Sequence, residues 1–210
     1  NHANELLLSP DEELLEAVSN IRDVSKGYVG TLRYVQAETA RRVGRHEYCL
    51  IICKAMETSS IPSERFDGYM IEGLNYMDRQ EWELAYSAFI RARNVFDGRV
   101  NVMLECNIAE VLIRNNDFHE PKEILQRLLQ QRIENPEHES RAYFLLGFIA
   151  IRTGEDDEAL RMFQLSRAAM RSKQVELLNK VSQMYYANGM RDKSLEFALR
   201  ASSLKESGTF

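Results

Sequence analysis

Apolar residues recur along most of the chain at spacings of three and four, with charged residues between them, as in amphipathic helices. The helical stretches come in pairs around a short polar turn, and the turns recur every 35 to 38 residues. The residues at these turns are Gly44, Gln80, Asn116, Gly154 and Gly189. Gly and Asn suit a positive φ between two helices, and only Gln80 departs from that preference. The pattern predicts five helix pairs, with a helix A before each turn and a helix B after it.

Two further positions recur at fixed distances from these turns. Seven residues before each turn stands a small residue: Ala37, Gly73, Ala109, Gly147 and Ser182. Nine residues after each turn, the chain has Cys53, Phe89, Leu125, Phe163 and Ala198. A small residue marks a close approach of two helices, and a larger apolar one fills the wedge beside it. Because one pair cannot bury its apolar face alone, we expect stacked pairs to share a continuous core.

The predicted organisation is a single domain over residues 1–210. Its repeats cover about 30–63, 66–99, 102–135, 140–173 and 175–208. Residues 1–29 form an N-terminal segment with a capping helix from Pro10 to about Val24, because Ser9, Pro10 and Glu12 read as N-cap, first helical residue and capping box.

Composition and charge narrow the class of protein. The chain has 210 residues, 44% hydrophobic and 28% charged, with only four Pro and ten Gly, which favours an all-α protein with short loops. The net charge of −5 argues against contact with nucleic acid. No segment reaches the roughly 18 apolar residues of a membrane span, so no membrane insertion is expected. Three cysteines at no framework spacing fit a reducing compartment, and we expect a cytoplasmic protein.

Four consecutive carboxylates could bind a metal ion but have a simpler interpretation. Glu155, Asp156, Asp157 and Glu158 follow the turn at Gly154, where the dipole of a beginning helix favours negative charge. Successive helical residues point about 100° apart, so these four side chains cannot converge on one cation. We therefore predict the start of a helix B here.

The cysteines and histidines do not indicate a metal site or a catalytic site. Cys49 and Cys53 lie four residues apart, but a zinc site needs about four ligands, and their repeat positions predict burial. The histidines stand at no spacing that suggests a triad: His2, His46, His119 and His138. No glycine-rich phosphate loop occurs either. We therefore expect no enzyme activity, no cofactor and no metal.

The helix pairs resemble the tetratricopeptide repeat, in which an aromatic precedes Leu-Gly and helix B carries Ala-x-x-x-Phe. Two repeats match through specific residues, Tyr143, Leu146, Gly147, Ala159 and Phe163 in one, and Tyr69, Gly73, Tyr76, Ala85, Phe89 and Ala92 in the other. The remaining three depend on periodicity. The resemblance implies a right-handed α-solenoid of antiparallel helix pairs, a superhelix with helix A on its concave side. It also implies binding of proteins or peptides rather than catalysis.

The A helices carry the candidate binding groove. Residues 143–151 include no charged or strongly polar side chain, although a helix packed on two neighbours still has a third side. In the register of the family, the concave-facing apolar positions are Met70, Leu74, Met77, Met103, Cys106, Ile113, Phe144, Phe148 and Ile151. Flexible Met side chains suit varied apolar segments, and Cys106 is expected to be exposed. The alternative is that these side chains pack inward or against the next pair.

These features favour a non-enzymatic adaptor, scaffold or chaperone-like module. It would bind an apolar or amphipathic segment of a partner protein in the groove. An alternative is a regulatory domain of a larger signalling or transcription-control protein, motivated by a chain that does not begin with Met. Self-association through the groove would also cover it. Some family members hold a C-terminal carboxylate with Lys and Asn, where this chain has Met70, Leu74, Phe144 and Phe148, so the resemblance does not extend to readers of acidic chaperone tails.

Overall fold

A computed structural model describes residues 10–21, 28–96 and 100–206. The secondary structure of these described residues is helical, which confirms the predicted all-α class. Their ten helices are α1 (Pro10–Ser19), α2 (Val29–Arg42), α3 (His46–Glu57), α4 (Pro62–Asp78), α5 (Trp82–Val95), α6 (Val102–Arg114), α7 (His119–Leu129), α8 (Pro136–Thr153), α9 (Asp156–Ala187) and α10 (Arg191–Glu206).

All five predicted turns have a residue with positive φ. The angles are 75° at Gly44, 59° at Gln80, 61° at Asn116, 79° at Gly154 and 76° at Gly189. Gln80 therefore adopts the left-handed conformation that its position in the repeat predicts, although its residue type does not favour that conformation.

The chain divides into two compact units, Asn1–Asn115 and Asn116–Phe210, here called unit 1 and unit 2. Within unit 1 each helix from α1 to α6 packs on the next, and α2 also contacts α4. Within unit 2 the same sequential packing joins α7 to α10.

Helix α1 caps the first pair, as predicted. Leu15 and Val18 belong to one buried cluster with Ala37 of α2. The helix ends at Ser19, earlier than the expected Val24, and the amide of Asn20 donates to the carbonyl of Glu16 at 3.2 Å. Asn is a poor helix former and often follows a helix C-terminus, which accounts for the early end. The predicted cap Ser9 lies outside the described residues.

The small and wedge positions pack against each other as the repeat pattern predicts. A Cβ added at Gly73 would stand 2.4 Å from Cε1 of Phe89, and one added at Gly147 would stand 2.7 Å from Cε1 of Phe163. No side chain fits at either distance, so the absence of a Cβ is what lets helices A and B approach.

Helix α9 differs from the prediction. The repeat spacing predicts a connection near residues 173–175, whereas α9 is one helix of 32 residues from Asp156 to Ala187. Pro62 and Pro136 begin α4 and α8, where a proline stops a preceding helix and tolerates the missing N–H. Residues 171–176 contain no Pro, Gly or Asn, so nothing in the sequence stops the helix there.

Candidate partner-binding surface

Helix α8 presents an apolar stripe formed by Phe144, Phe148 and Ile151, here called the α8 stripe. Phe144 is 52% exposed and Ile151 is 51% exposed, while Phe148 between them is half-buried. Their spacing of four and three residues places the three side chains on one face of the helix. The opposite faces of α8 pack on α7 and α9, so the stripe is the third side of the helix, as the sequence predicts.

Local sequence signals fix the ends of α8 and hence the position of the stripe. At its start, the side chain of Asn135 accepts a hydrogen bond from the amide of Glu137, and Pro136 is the first helical residue. At its end, Gly154 takes a left-handed conformation, and the amide of Glu155 donates to the carbonyl of Ala150 at 2.8 Å.

Aromatic and charged contacts support the stripe and limit its extent. The rings of Phe144 and Phe163 lie 5.6 Å apart between centroids, tilted by 54°. At the C-terminal end, the guanidinium of Arg152 lies 5.2 Å from the ring centroid of Phe118 and donates to Oδ1 of Asn116 at 2.7 Å. An apolar strip bounded by a polar group is typical of a surface that binds one face of an amphipathic segment.

The predicted groove positions of unit 1 are less exposed than those of α8. Met103 is 38% exposed, and Leu74 and Met77 are half-buried. Met70, at 4% exposure, and Ile113, at 2%, are core residues instead, in line with the inward-packing alternative.

The expected exposure of Cys106 is wrong. This residue is fully buried. It lies on α6, which has eight buried residues among 13, so this helix has little surface left to expose. A small apolar side chain such as a thiol is readily accommodated in such an environment.

The acidic run behaves as the start of a helix, as predicted. Glu155 is the N-cap residue of α9, and the other three carboxylates lie in its first turn. Lys122 donates to Glu155 at 3.1 Å and lowers the pKa of that carboxyl. Arg161 donates to Glu158 at 2.8 Å and lowers its pKa in the same way.

The pair Cys49 and Cys53 is buried, as its repeat positions predict. Both side chains are fully buried, and their sulfur atoms lie 3.9 Å apart. The hydrogen bond with Cys49 and burial raise the pKa of the Cys53 thiol, which keeps it protonated and unreactive. Across residues 10–21, 28–96 and 100–206, no three His, Cys, Asp or Glu side chains form a group that could hold a metal ion.

Ion pairs to one buried carboxylate connect three helices of unit 1. Glu72 of α4 is 1% exposed and accepts hydrogen bonds from Lys54 of α3 at 3.0 Å and Arg91 of α5 at 2.5 Å. Arg91 also lies 4.7 Å from the ring centroid of Tyr69. Because each charge has a partner inside the unit, these groups serve packing rather than ligand binding.

Sequence analysis missed a cavity between α2 and α4 of unit 1. Tyr34, Glu64 and Asp67 lie in its wall. Tyr34 stands ten residues before the turn at Gly44, the same offset that singles out Phe144, so the repeat register contains a signal for this site. The apolar positions of that register predict a groove, whereas this cavity also depends on two carboxylates, which an apolar pattern does not indicate.

No described helix is long and apolar enough to cross a membrane. No protein-family model matches the sequence, and no curated protein sequence matches it significantly.

Solved structures are similar in fold. YrrB, a TPR protein with an unusual peptide-binding site, is 20% identical over 93% of this chain and 94% of its own, with a TM-score of 0.53. Two crystal structures of MamA are each 15% identical. One covers 81% of this chain and 95% of its own, with a TM-score of 0.53. The other covers 86% of this chain and 93% of its own, with a TM-score of 0.55. Proteins with this fold generally bind other proteins or peptides and are typically not enzymes. The ten helices, the five left-handed turns and these similarities together show that the chain has a tetratricopeptide-like repeat fold.

Proposed function

We propose that the chain is a non-catalytic interaction module that binds an apolar or amphipathic segment of a partner protein along the α8 stripe. The observation that carries the proposal is the exposure of Phe144 and Ile151, each just over half exposed, on one face of a helix whose other faces are packed. Burying such side chains against a partner removes apolar surface from water at about 25 cal/mol per Å².

The proposed ligand is an α-helix with apolar residues at positions i, i+3 or i+4, and i+7. Such a helix would match the spacing of the three side chains in the stripe. The same property would suit an adaptor, a scaffold or a chaperone that shields an apolar segment. A cytoplasmic location is part of the proposal, supported by the buried thiols of Cys49 and Cys53.

The experiment is a peptide selection with a matched pair of variants. Displayed peptides are selected on the wild-type chain, and the affinities of labelled peptides are measured by fluorescence anisotropy. Phe144→Glu should weaken binding at least about tenfold, because the bound apolar face would meet a charge that it must desolvate. Leu84→Glu is the control, since Leu84 is 49% exposed but lies on α5 of unit 1.

Circular dichroism and thermal unfolding of each variant show whether its fold persists. Equal affinity of the selected peptides for the wild type and a folded Phe144→Glu variant would refute the α8 stripe as the binding surface. Peptides without a recurrent apolar spacing would refute the helical ligand.

A further inference from the structure

A cavity of about 810 Å³ opens between the first two turns of α2 and the first two turns of α4. Its apolar wall includes Val29 and Ile61, and its polar wall includes Tyr34, Glu64 and Asp67. Tyr34 and Ile61 are 43% and 53% exposed, so a ligand can reach both from solvent.

The two carboxylates of the cavity are not equivalent. Glu64 is 8% exposed and already has partners, because Arg33 donates to it at 2.9 Å and Ser59 donates at 2.5 Å. Glu64 is thus held in the wall of the cavity, and its charge is balanced by Arg33.

Asp67 has no such balance. It is half-buried, and no residue in the described part of the chain forms an ion pair or hydrogen bond with it. Burial and the neighbouring Glu64 raise the pKa of Asp67. Asp67 and Tyr34 line the same cavity, and Asp67 raises the pKa of Tyr34 after the larger effects of burial and Glu38. The cavity therefore combines one uncompensated carboxylate, an accessible aromatic ring and apolar walls.

We propose that this cavity binds an arginine side chain of a peptide ligand, with the guanidinium between Asp67 and the ring of Tyr34. A guanidinium can lie flat on an aromatic ring and donate two hydrogen bonds to one carboxylate, which an ammonium cannot do. The aliphatic part of the side chain would pack on Val29 and Ile61. This inference concerns unit 1 and does not depend on the α8 stripe.

The test uses the full chain and three blocked amino acids as probes. N-acetyl-arginine methylamide, the lysine equivalent and the citrulline equivalent are titrated at low salt, and amide chemical shifts are followed by NMR. Citrulline has nearly the shape of arginine without its charge. We expect saturable shifts at residues 30–34 and 61–67 with arginine, at least about threefold weaker binding of lysine, and no saturable binding of citrulline.

Variants of the cavity residues test whether arginine binds at Asp67 and Tyr34. Asp67→Asn should weaken arginine binding about tenfold, because the charge-assisted hydrogen bonds are lost. Tyr34→Leu should weaken it about threefold through the loss of the ring. Glu83→Gln on α5 is the control for net charge, since Glu83 is exposed and does not line the cavity.

Equal binding of arginine and citrulline would overturn the inference, as would unchanged binding by Asp67→Asn. Equal binding of lysine would overturn the preference for a guanidinium. Should Asp67→Asn fail to fold, Tyr34→Leu and the probe series decide the matter by themselves. Phe144→Glu should leave arginine binding unchanged, so the failure of either proposal can be told from the failure of the other.

Discussion

The last helix pair and the earlier pairs place the same repeat position in different environments. Five residues before the turn, Thr39 and Asn75 of unit 1 are 3% and 0% exposed, and Ile149 of unit 2 is 0% exposed. The equivalent residue in the last pair is Met184, which is 66% exposed. Met184 of the last pair is thus exposed to water at a repeat position that is buried in these earlier pairs.

A second repeat position shows the same contrast. Twelve residues before the turn, Leu104 and Ala142 are 1% and 0% exposed, whereas Leu177 is 49% exposed. Gly68 shows what normally covers this position, since a Cβ there would stand 2.9 Å from Cβ of Met56 on the preceding helix B. In the last pair, the preceding helix B and helix A are two halves of α9, so they lie end to end and cannot cover each other. A repeat position therefore predicts burial only where a turn brings the chain back.

The largest expected effect is on the free energy of unfolding, and it distinguishes a buried position of α8 from the equivalent exposed position of α9. Ile149→Ala should lower the free energy of unfolding by about 2–5 kcal/mol, because it removes a fully buried side chain and leaves a cavity. Met184→Ala, at the same repeat position, should cost no more than about 0.5 kcal/mol, as at other exposed sites. Urea unfolding measures both. Similar losses for the two variants would mean that Met184 is buried in solution, by a folded-back α9 or by a second copy of the chain.

A proline in the middle of α9 tests the continuity of this helix. Gln174→Pro should lower the free energy of unfolding by about 3 kcal/mol, since it removes a helical hydrogen bond and clashes with the preceding turn. A connection at residues 173–175, as the repeat spacing predicts, would tolerate the same change. A loss below about 0.5 kcal/mol would therefore favour two separate helices.

Light scattering over a range of concentrations, with wild type and Met184→Glu side by side, shows whether the exposed face of α9 associates with itself. If the wild type assembles and Met184→Glu remains a monomer, a second copy of the chain covers Met184.

The smallest effect is a pH dependence of opposite sign in the two units. The pKa of Asp67 in unit 1 is raised, so the folded state binds the proton of this carboxyl more tightly than the unfolded state does. Asp67 therefore lowers the stability of the fold as pH rises from below its unfolded-state pKa through its folded-state pKa. The pKa of Glu137 in unit 2 is lowered by Lys173, so its contribution is present at neutral pH and lost as pH falls through the folded-state value.

Stability curves of two matched variants check these signs. Asp67→Asn should raise stability at pH 7 relative to wild type, and this gain should disappear on acidification. Glu137→Gln should lower stability slightly at pH 7, with the difference vanishing at low pH. The same sign for both variants at pH 7 would contradict the assignment.

Much of the fold follows from local patterns. The five turns were predictable because each helix pair needs a left-handed residue between its two helices, at a position that recurs along the chain. Even Gln80 takes this conformation at its turn. The contacts of Gly73 with Phe89 and Gly147 with Phe163 follow for the same reason, since a wedge residue needs a small partner at a fixed distance along the chain. The sequence around Ser172 also contains a local signal, because it lacks a helix stop and so predicts a continuous helix. The repeat spacing predicts a connection there instead, and the structure follows the local signal.

The candidate binding surfaces were predictable only in part. The sequence by itself determined the helix pairs, their turns and the apolar face of α8, because each depends on residues within one or two turns of each other. Tertiary structure alone decided that Ile151 is exposed while Ile113, at the same offset from its turn, is buried. It also decided that Tyr34 and Asp67, 33 residues apart in sequence, line one cavity. Exposure and proximity depend on which neighbouring helices cover a residue, and the local pattern of a single helix does not contain that information.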